Sequence, residues 1–232
     1  MAIHFNLHLP TMPVVYARTI NTDTRLCVWH AIEDAESLHG ELLLTSEDEK
    51  IYASIRNQNR KLQWLGCRMA LSHLMQTPKI GIRYDEFGKP SMDSILPNIS
   101  FTHTGLFAAA ICSSSCGVGI DLEQVREKIS RVAERFLTTD ELTMASGEDR
   151  KEVLTLFWAA KEALYKINGK PDVDIQHDIS IESFDYLCTL DGEVKALLKA
   201  GKKSHEIEVS YHRMNDDIND YMMAWAMVAD NN

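Results

Sequence analysis

The chain has 232 residues, of which 45% are apolar and 25% are charged, and its formal net charge is −10. The apolar content argues against a disordered chain, and the acidic balance without a long basic block argues against a nucleic-acid partner. The five cysteines are odd in number and irregularly spaced, which argues against a disulfide scaffold or a zinc site: Cys27, Cys67, Cys112, Cys116 and Cys188. The start MAIHFNLHLP lacks the pattern of a secretory signal, and no apolar run approaches the ~20 residues of a membrane span. We therefore expect a cytoplasmic protein with no membrane partner.

The first half of the chain alternates between strand and helix patterns. Residues 25–32 predict a strand, and Ser46 with Glu49 predicts a capping box that opens a helix continuing to about Met75. Pro78 ends this helical region. Further strands are predicted at 82–90, which runs into a Gly-Pro turn, and at 99–105 and 106–112.

The second half repeats this order. A strand is predicted at 118–123, a helical zone after Val125, a second capping box at Thr138 with Glu141, and a strong helix from about Asp149 to Ile167. Four strands are predicted to follow, at 179–186, 193–199, 206–212 and 221–229. The order predicts an α+β fold with helices set against antiparallel sheets, and a boundary between two halves near 113–117.

Two carboxylates alternate with apolar residues along the strand VGIDLE, residues 118–123. Because side chains alternate between the two faces of a strand, Asp121 and Glu123 share the face opposite Val118, Ile120 and Leu122. Paired carboxylates of this kind suit a hard cation such as Mg²⁺, which takes oxygen ligands together with substrate phosphates. The alternative is the exposed polar face of a half-buried strand.

The helix FWAAKEALYK, residues 157–166, places Glu162 and Lys166 four residues apart on one face. They form either a surface ion pair or a functional pair. In the functional interpretation Glu162 joins Asp121 and Glu123 as a third metal ligand, while Lys161 and Lys166 face phosphate oxygens. EFGKP (86–90) and NISFTHTG (98–105) are candidate ligand-binding segments, although a solvated turn and a structural histidine are the alternatives.

The joint order of FGKP, NIS-x-THTG, GIDLE and FW-x-x-KEALYK resembles the 4′-phosphopantetheinyl transferase superfamily. The length is similar to the two-part Sfp-type branch rather than to the half-length holo-acyl-carrier-protein synthases. The resemblance implies the fold of that superfamily, an α+β fold of two similar subdomains, each an antiparallel sheet packed with helices. Residues 1–116 would form the subdomain on the coenzyme A side, and 117–232 the subdomain with the metal and catalytic residues.

The resemblance also implies the roles of individual residues. Asp121, Glu123 and Glu162 correspond to the Mg²⁺-binding acids, with Glu162, Lys166 and Asp121 as catalytic residues. The residues implied to contact coenzyme A lie near its pyrophosphate (Lys161, Lys166), its adenine and ribose (Gly88, Lys89, Pro90) and its 3′-phosphate (His103, Arg68). Thr102, also implied to contact coenzyme A, matches the serine that precedes the histidine in the family's Ser-His pair. Arg56, Arg60 and Lys61 are further candidates near the 3′-phosphate.

The implied activity is transfer of the 4′-phosphopantetheine group of coenzyme A to a serine of an apo acyl or peptidyl carrier protein, with Mg²⁺ as cofactor and 3′,5′-ADP as product. We expect a monomer, and a basic carrier-docking helix that carries Arg126, Lys128, Arg131 and Arg135. The alternatives are a non-catalytic homologue that binds coenzyme A or carrier protein, a metal-dependent phosphohydrolase, and a purely structural domain.

Overall fold

The computed structural model describes residues 13–92 and 97–229. The N-terminal residues used above to argue against a secretory signal lie outside this range. The first half contains β1 (Val14–Thr19), β2 (Thr24–His30), α1 (Ala35–Glu41), α2 (Ser46–Ser54), α3 (Gln58–Met75), β3 (Ile82–Tyr84), β4 (Pro90–Met92), β5 (Asn98–Thr104) and β6 (Phe107–Ser113). The second half contains β7 (Cys116–Gln124), α4 (Thr139–Met144), α5 (Arg150–Asn168), β8 (Ile179–Ile181), β9 (Asp191–Ala200), β10 (Lys203–Asn215) and β11 (Asp220–Ala229).

The two halves share one topology. The first sheet has the strand order β1-β2-β6-β5-β4-β3, and the second has the order β7-β11-β10-β9-β8. Without β1, each sheet places its first strand beside its last, followed by the others in reverse chain order, and all neighbours are antiparallel. This confirms an α+β fold of two similar subdomains. The chain passes from the first sheet to the second between Ser113 and Cys116, and the division into subdomains 1–116 and 117–232 stays a prediction.

Three apolar clusters hold the layers together. One packs α3 on the outer face of the first sheet, and another packs α5 on the outer face of the second. The third lies between the sheets, where β2 and β6 meet β7 and β11. Val118, Ile120 and Leu122 of β7 all enter this third cluster, as their alternation predicts. Within the described part of the chain, no helix combines the length and the apolar character that crossing a bilayer requires.

Gly119 allows α5 to lie unusually close to β7. A Cβ built at Gly119 would lie 2.0 Å from the carbonyl oxygen of Ala163 and 2.8 Å from Cγ1 of Ile167. Because the first of these atoms is backbone, no side-chain rotation could make room, so only glycine fits here. The close approach brings the α5 side chains against the strand face that carries Asp121 and Glu123.

Several predicted elements differ from the structure. The long early helix is two helices, because the chain leaves helical geometry after Ser54 and restarts at Asn57, whose side chain caps α3. The cap of α2 is Thr45, which accepts from the Asp48 N–H, so the Ser46–Glu49 capping box is wrong. The Thr138–Glu141 capping box is confirmed.

Other differences concern the strands and the basic segment. The strand predicted at 82–90 is two short strands joined by a turn, and the strand predicted at 179–186 ends at Ile181. The helix predicted after Val125 is replaced by two short 3₁₀ turns, Glu127–Arg131 and Ala133–Arg135. With no side-chain cap on either turn, the amphipathic pattern alone does not nucleate an α-helix.

Candidate active site

Hydroxyl groups attach β5 to the edge of β7. The backbone N–H of Ile120 donates to the Ser100 hydroxyl at 3.3 Å, and that of Leu122 donates to the Thr102 hydroxyl at 3.2 Å. These side chains satisfy backbone donors that a sheet edge would otherwise leave unpaired. The alternation of Ser100 and Thr102 in NISFTHTG therefore brings the two halves together beside Asp121.

A cavity of about 540 Å³ opens at this junction. Its walls come from α3, the turn after β3, strands β5 and β7, and the C-terminal half of α5. Most of the predicted site residues line it: Arg68, Gly88, Lys89, Pro90, Thr102, His103, Asp121, Glu123, Glu162 and Lys166. The cavity also contacts residues that the sequence did not assign to a site, among them Trp64, Tyr84, Phe87, Tyr165 and Lys170.

Three carboxylates share this cavity, and the negative charge of Asp121 raises the pKa of the two glutamates. Burial and the charge of Asp121 raise the pKa of Glu123 to about 7, and the same two causes raise the pKa of Glu162. Asp121 is only 4% exposed, and its Oδ2 is buried without a hydrogen-bond partner among the described residues. A buried carboxylate oxygen without a partner lowers the stability of the fold, so a positive charge placed beside it would be stabilising.

Lys166 supplies part of that charge. Its ammonium donates to Oδ1 of Asp121 at 2.7 Å and to the carbonyl oxygens of Ile120 and Phe101 at 3.0 and 3.2 Å. The Thr102 hydroxyl donates to the same Asp121 oxygen at 2.8 Å. Lys166 and Glu162 lie in the cavity together, as their spacing of four residues predicts. The Thr102 hydroxyl therefore orients Asp121, and its implied contact with coenzyme A stays a prediction.

No group of three or more His, Cys, Asp or Glu side chains is arranged tightly enough to hold a metal ion as it stands, within residues 13–92 and 97–229. Two of the three acids already accept hydrogen bonds, Asp121 from Lys166 and Glu123 from Trp158 at 3.2 Å. The donor set of carboxylate oxygens is nevertheless the one that Mg²⁺ prefers, and the open Oδ2 of Asp121 fits a cation.

At another part of the cavity wall, Arg60 and His103 are hydrogen-bonded to each other. A guanidinium N–H of Arg60 donates to Nε2 of His103. Burial lowers the pKa of His103, and the charges of Arg60 and Lys166 lower it further. His103 is therefore neutral at pH 7 and accepts from Arg60. Of the three basic candidates from the early helix region, only Arg60 lines this cavity.

The turn around Gly88 links the cavity to α5. Gly88 has φ +84°, which favours glycine. The ammonium of Lys89 donates to the carbonyl oxygen of Ile167 at 2.8 Å, so it lies at the C-terminal end of α5, where a positive charge is favourable. Glycine is favoured at position 169 because its φ is +67°, and a Cβ there would also lie 2.3 Å from Cδ of Lys89 and displace that side chain.

Arg68 lines the cavity but is largely committed to the fold. It is 1% exposed, its Nη2 donates to Asp48 at 2.5 Å, and its guanidinium carbon lies 3.3 Å from the ring centroid of Trp64. The contact with Asp48 was not predictable from a local pattern, because this buried partner lies on α2 and Arg68 lies on α3. The interpretation of Arg68 as simply a phosphate ligand is therefore incomplete.

The prediction that Lys161 faces phosphate oxygens is wrong. Its side chain is fully buried and donates to Glu141 at 2.8 Å and to the carbonyl oxygens of Phe136 and Ile175 at 2.9 and 3.2 Å. These three acceptors satisfy all three ammonium protons. Lys161 joins α5 to α4 and to the segment that precedes β8, and it does not line the cavity.

The raised pKa of Glu123 predicts how stability changes with pH in the absence of divalent ions. A carboxyl whose pKa rises from 4.5 to about 7 on folding binds its proton more tightly in the folded state. Its stabilising contribution is complete below pH 4.5 and is lost as the pH rises through 7. We expect the Tm of the wild type to fall relative to that of Glu123→Gln over this range. Thermal melts in EDTA measure the difference, with the exposed Glu193→Gln as a control. Parallel curves for wild type and Glu123→Gln would contradict the expectation.

Fold and site together define a duplicated α+β protein with an acid- and cation-lined cavity between its halves. A family model described as the 4′-phosphopantetheinyl transferase superfamily matches residues 117–226. The chain is 28% identical over 157 residues to 4′-phosphopantetheinyl transferase Sfp of Bacillus subtilis (strain 168) and 27% identical over 156 residues to 4′-phosphopantetheinyl transferase ffp of Bacillus subtilis. Each match covers 62% of this chain and 66% of the relative, just under two thirds of its length. The chain is therefore similar to the 4′-phosphopantetheinyl transferase superfamily over residues 117–226, and to these two transferases over 62% of its length.

Proposed function

We propose that this protein transfers the 4′-phosphopantetheine group of coenzyme A to a serine of an apo acyl or peptidyl carrier protein, giving holo-carrier protein and 3′,5′-ADP. The observation that carries the proposal is the convergence of three carboxylates and Lys166 on one cavity between the halves. The superfamily match and the printed names of the two relatives support the reaction class.

Asp121, Glu123 and Glu162 would together hold Mg²⁺ in this cavity, with the open Oδ2 of Asp121 as one ligand. Because Glu123 already accepts a bond from Trp158, and the acids are not yet clustered as a metal site, binding requires the glutamate side chains to turn. When bound, the ion would neutralise charge on the diphosphate and on the three acids.

The remaining chemistry falls to side chains of this chain. Glu162 accepts the proton of the carrier serine hydroxyl, for which its raised pKa suits it. The serine oxygen forms a bond to the phosphorus that bears pantetheine, and the bond from that phosphorus to the bridging oxygen breaks. The bridging oxygen leaves with 3′,5′-ADP, and Lys166 offsets the charge that develops on it.

The remaining cavity wall suits the nucleotide part of coenzyme A. We assign the 3′-phosphate to Arg60 and His103, which already contact each other, with the Arg68 guanidinium behind them. The turn of Gly88, Lys89 and Pro90 would lie along adenine and ribose, where Phe87 and Tyr84 offer exposed aromatic surface.

We further propose that the protein works as a monomer whose two halves form the cleft, in the cytoplasm. All five cysteines are free and lie within the described residues, in keeping with a reducing compartment.

The direct test is to incubate the purified protein with coenzyme A, Mg²⁺ and a panel of apo-carrier proteins. Intact-protein mass spectrometry is expected to show the mass of one prosthetic arm added to the carrier serine. Coenzyme A binding without carrier modification would favour the non-catalytic homologue. Release of phosphopantetheine without carrier would indicate a phosphohydrolase.

The carrier protein is expected to dock on the basic segment 126–135. Arg126, Lys128, Arg131 and Arg135 are all exposed there, although the segment forms 3₁₀ turns and not the predicted helix. Since carrier proteins of this kind are acidic, changing both Arg131 and Arg135 to glutamate is expected to raise the KM for carrier about tenfold, with little change in the KM for coenzyme A. Steady-state kinetics measure both constants.

The matched control reverses two exposed lysines far along the chain, Lys202→Glu in the turn after β9 and Lys203→Glu at the start of β10. It makes the same change in net charge and is expected to leave both constants unchanged. An unchanged KM for carrier in the Arg131 and Arg135 variant would remove the docking assignment.

A further inference from the structure

The indole of Trp158 contacts the acidic site directly. Its Nε1–H donates to Oε1 of Glu123 at 3.2 Å. Its ring packs edge-on against Phe136, with centroids 4.8 Å apart. The core contact holds the ring, and the N–H is left directed at a carboxylate of the cavity.

One face of α5 carries three groups of the acidic site at intervals of four residues. Trp158 donates to Glu123, Glu162 contributes its own carboxylate, and Lys166 donates to Asp121. Residues four apart on a helix are neighbours on one face. The third acid therefore lies between two donors that each hold one of the two acids on β7.

The two donors differ in charge. Lys166 pairs Asp121 with a positive charge, whereas an indole N–H is neutral and cannot titrate. A neutral donor orients the Glu123 carboxyl group without placing a second positive charge beside it that would compete with a cation. The partners of metal-binding groups commonly act in this way, by fixing the orientation of the ligand.

We propose that Trp158 is a positioning residue, whose N–H holds Glu123 in the orientation in which its carboxylate binds the divalent ion. The proposal rests on the proposed function, because it takes Glu123 as a metal ligand. Its measurable consequence is metal affinity, which is separable from turnover.

The test measures Mn²⁺ binding by electron paramagnetic resonance, in the presence of coenzyme A and without carrier protein. Trp158→Phe is expected to weaken Mn²⁺ binding about tenfold, within the range seen when such partners are removed. Trp29→Phe is the control, because Trp29 is a buried indole whose Nε1 has no hydrogen-bond partner among the described residues, whereas Trp158 is half-buried and donates to Glu123. It is expected to keep the wild-type Kd.

A double-mutant cycle shows whether the effect passes through Glu123. In a Glu123→Gln background, Trp158→Phe is expected to cause little further loss of Mn²⁺ affinity. A wild-type Kd in Trp158→Phe, or losses that simply add in the double variant, would overturn the role of Trp158. A wild-type Kd in Glu123→Gln itself would instead overturn the metal assignment of the proposed function.

A variant with one atom changed covers the case in which Trp158→Phe does not fold. Benzothienylalanine at position 158 keeps the ring shape but replaces the N–H with sulfur. It is expected to keep the wild-type Tm without metal, since packing against Phe136 is retained, and to lose Mn²⁺ affinity as Trp158→Phe does. Unchanged Mn²⁺ affinity in this variant would reduce Trp158 to a packing role.

Discussion

Glu162→Gln is expected to lower the rate of phosphopantetheine transfer by about 10³-fold, in the range for removing a general base. Glutamine keeps the size of the side chain but can neither accept the serine proton nor offer an anionic ligand. The fold is expected to survive, because Glu162 lies in the cavity and its raised pKa shows that its charge is disfavoured there. Single-turnover transfer followed by mass spectrometry measures the rate, and thermal melts measure the fold.

The control is Glu193→Gln, an exposed glutamate on β9, which is expected to transfer at the wild-type rate. Binding of coenzyme A without metal is expected to be retained in Glu162→Gln. Transfer at the wild-type rate by Glu162→Gln would rule out its proposed role.

Lys161→Met is expected to destabilise the protein by about 3–5 kcal/mol, because it leaves a buried carboxylate without its cation. Glu141 is only 2% exposed, and it keeps the Thr138 and Ile181 backbone donors but loses the ammonium at 2.8 Å. The two lysines of the helix motif thus have different roles. Denaturant unfolding measures the loss, and the folded fraction is expected to retain transfer.

Lys166→Met is the matched comparison on the same helix. Its side chain is 28% exposed in the cavity and contacts Asp121, so the expected loss is in transfer, about 100-fold, with a smaller loss of stability. Transfer abolished in stable Lys161→Met protein would return Lys161 to the active site. Full transfer by Lys166→Met would remove it from there.

The strand that carries two of the acids was predictable because its pattern is local. Val118, Ile120 and Leu122 pack between the sheets while Asp121 and Glu123 face the cavity, as strict alternation requires. The C-terminal end of α5 was predictable for the same reason, since Gly169 takes the left-handed conformation that stops a helix.

The assignment of Lys161 to the site was wrong because it followed the match to a motif and ignored the direction in which the side chain leaves the helix. At 100° per residue, Lys161 and Lys166 point about 140° apart around α5, so both cannot face one cavity. Lys166 shares the face of Glu162, and Lys161 lies on a side that packs against α4 and the segment before β8. The helical period could have separated them, but the buried acceptors of Lys161 are distant in sequence.

The sequence by itself determined the α+β class, the strand face that carries Asp121 and Glu123, and the helix face that carries Glu162 and Lys166. These follow from periods of two and of about 3.6 residues, which depend only on neighbours in the chain. Only the tertiary structure decided which hydroxyl holds Asp121, that Arg68 is paired with Asp48, and that Trp158 contacts Glu123. Those contacts join residues 19 to 35 positions apart, and the contact of Trp158 with Glu123 also depends on how closely α5 packs on β7 at Gly119.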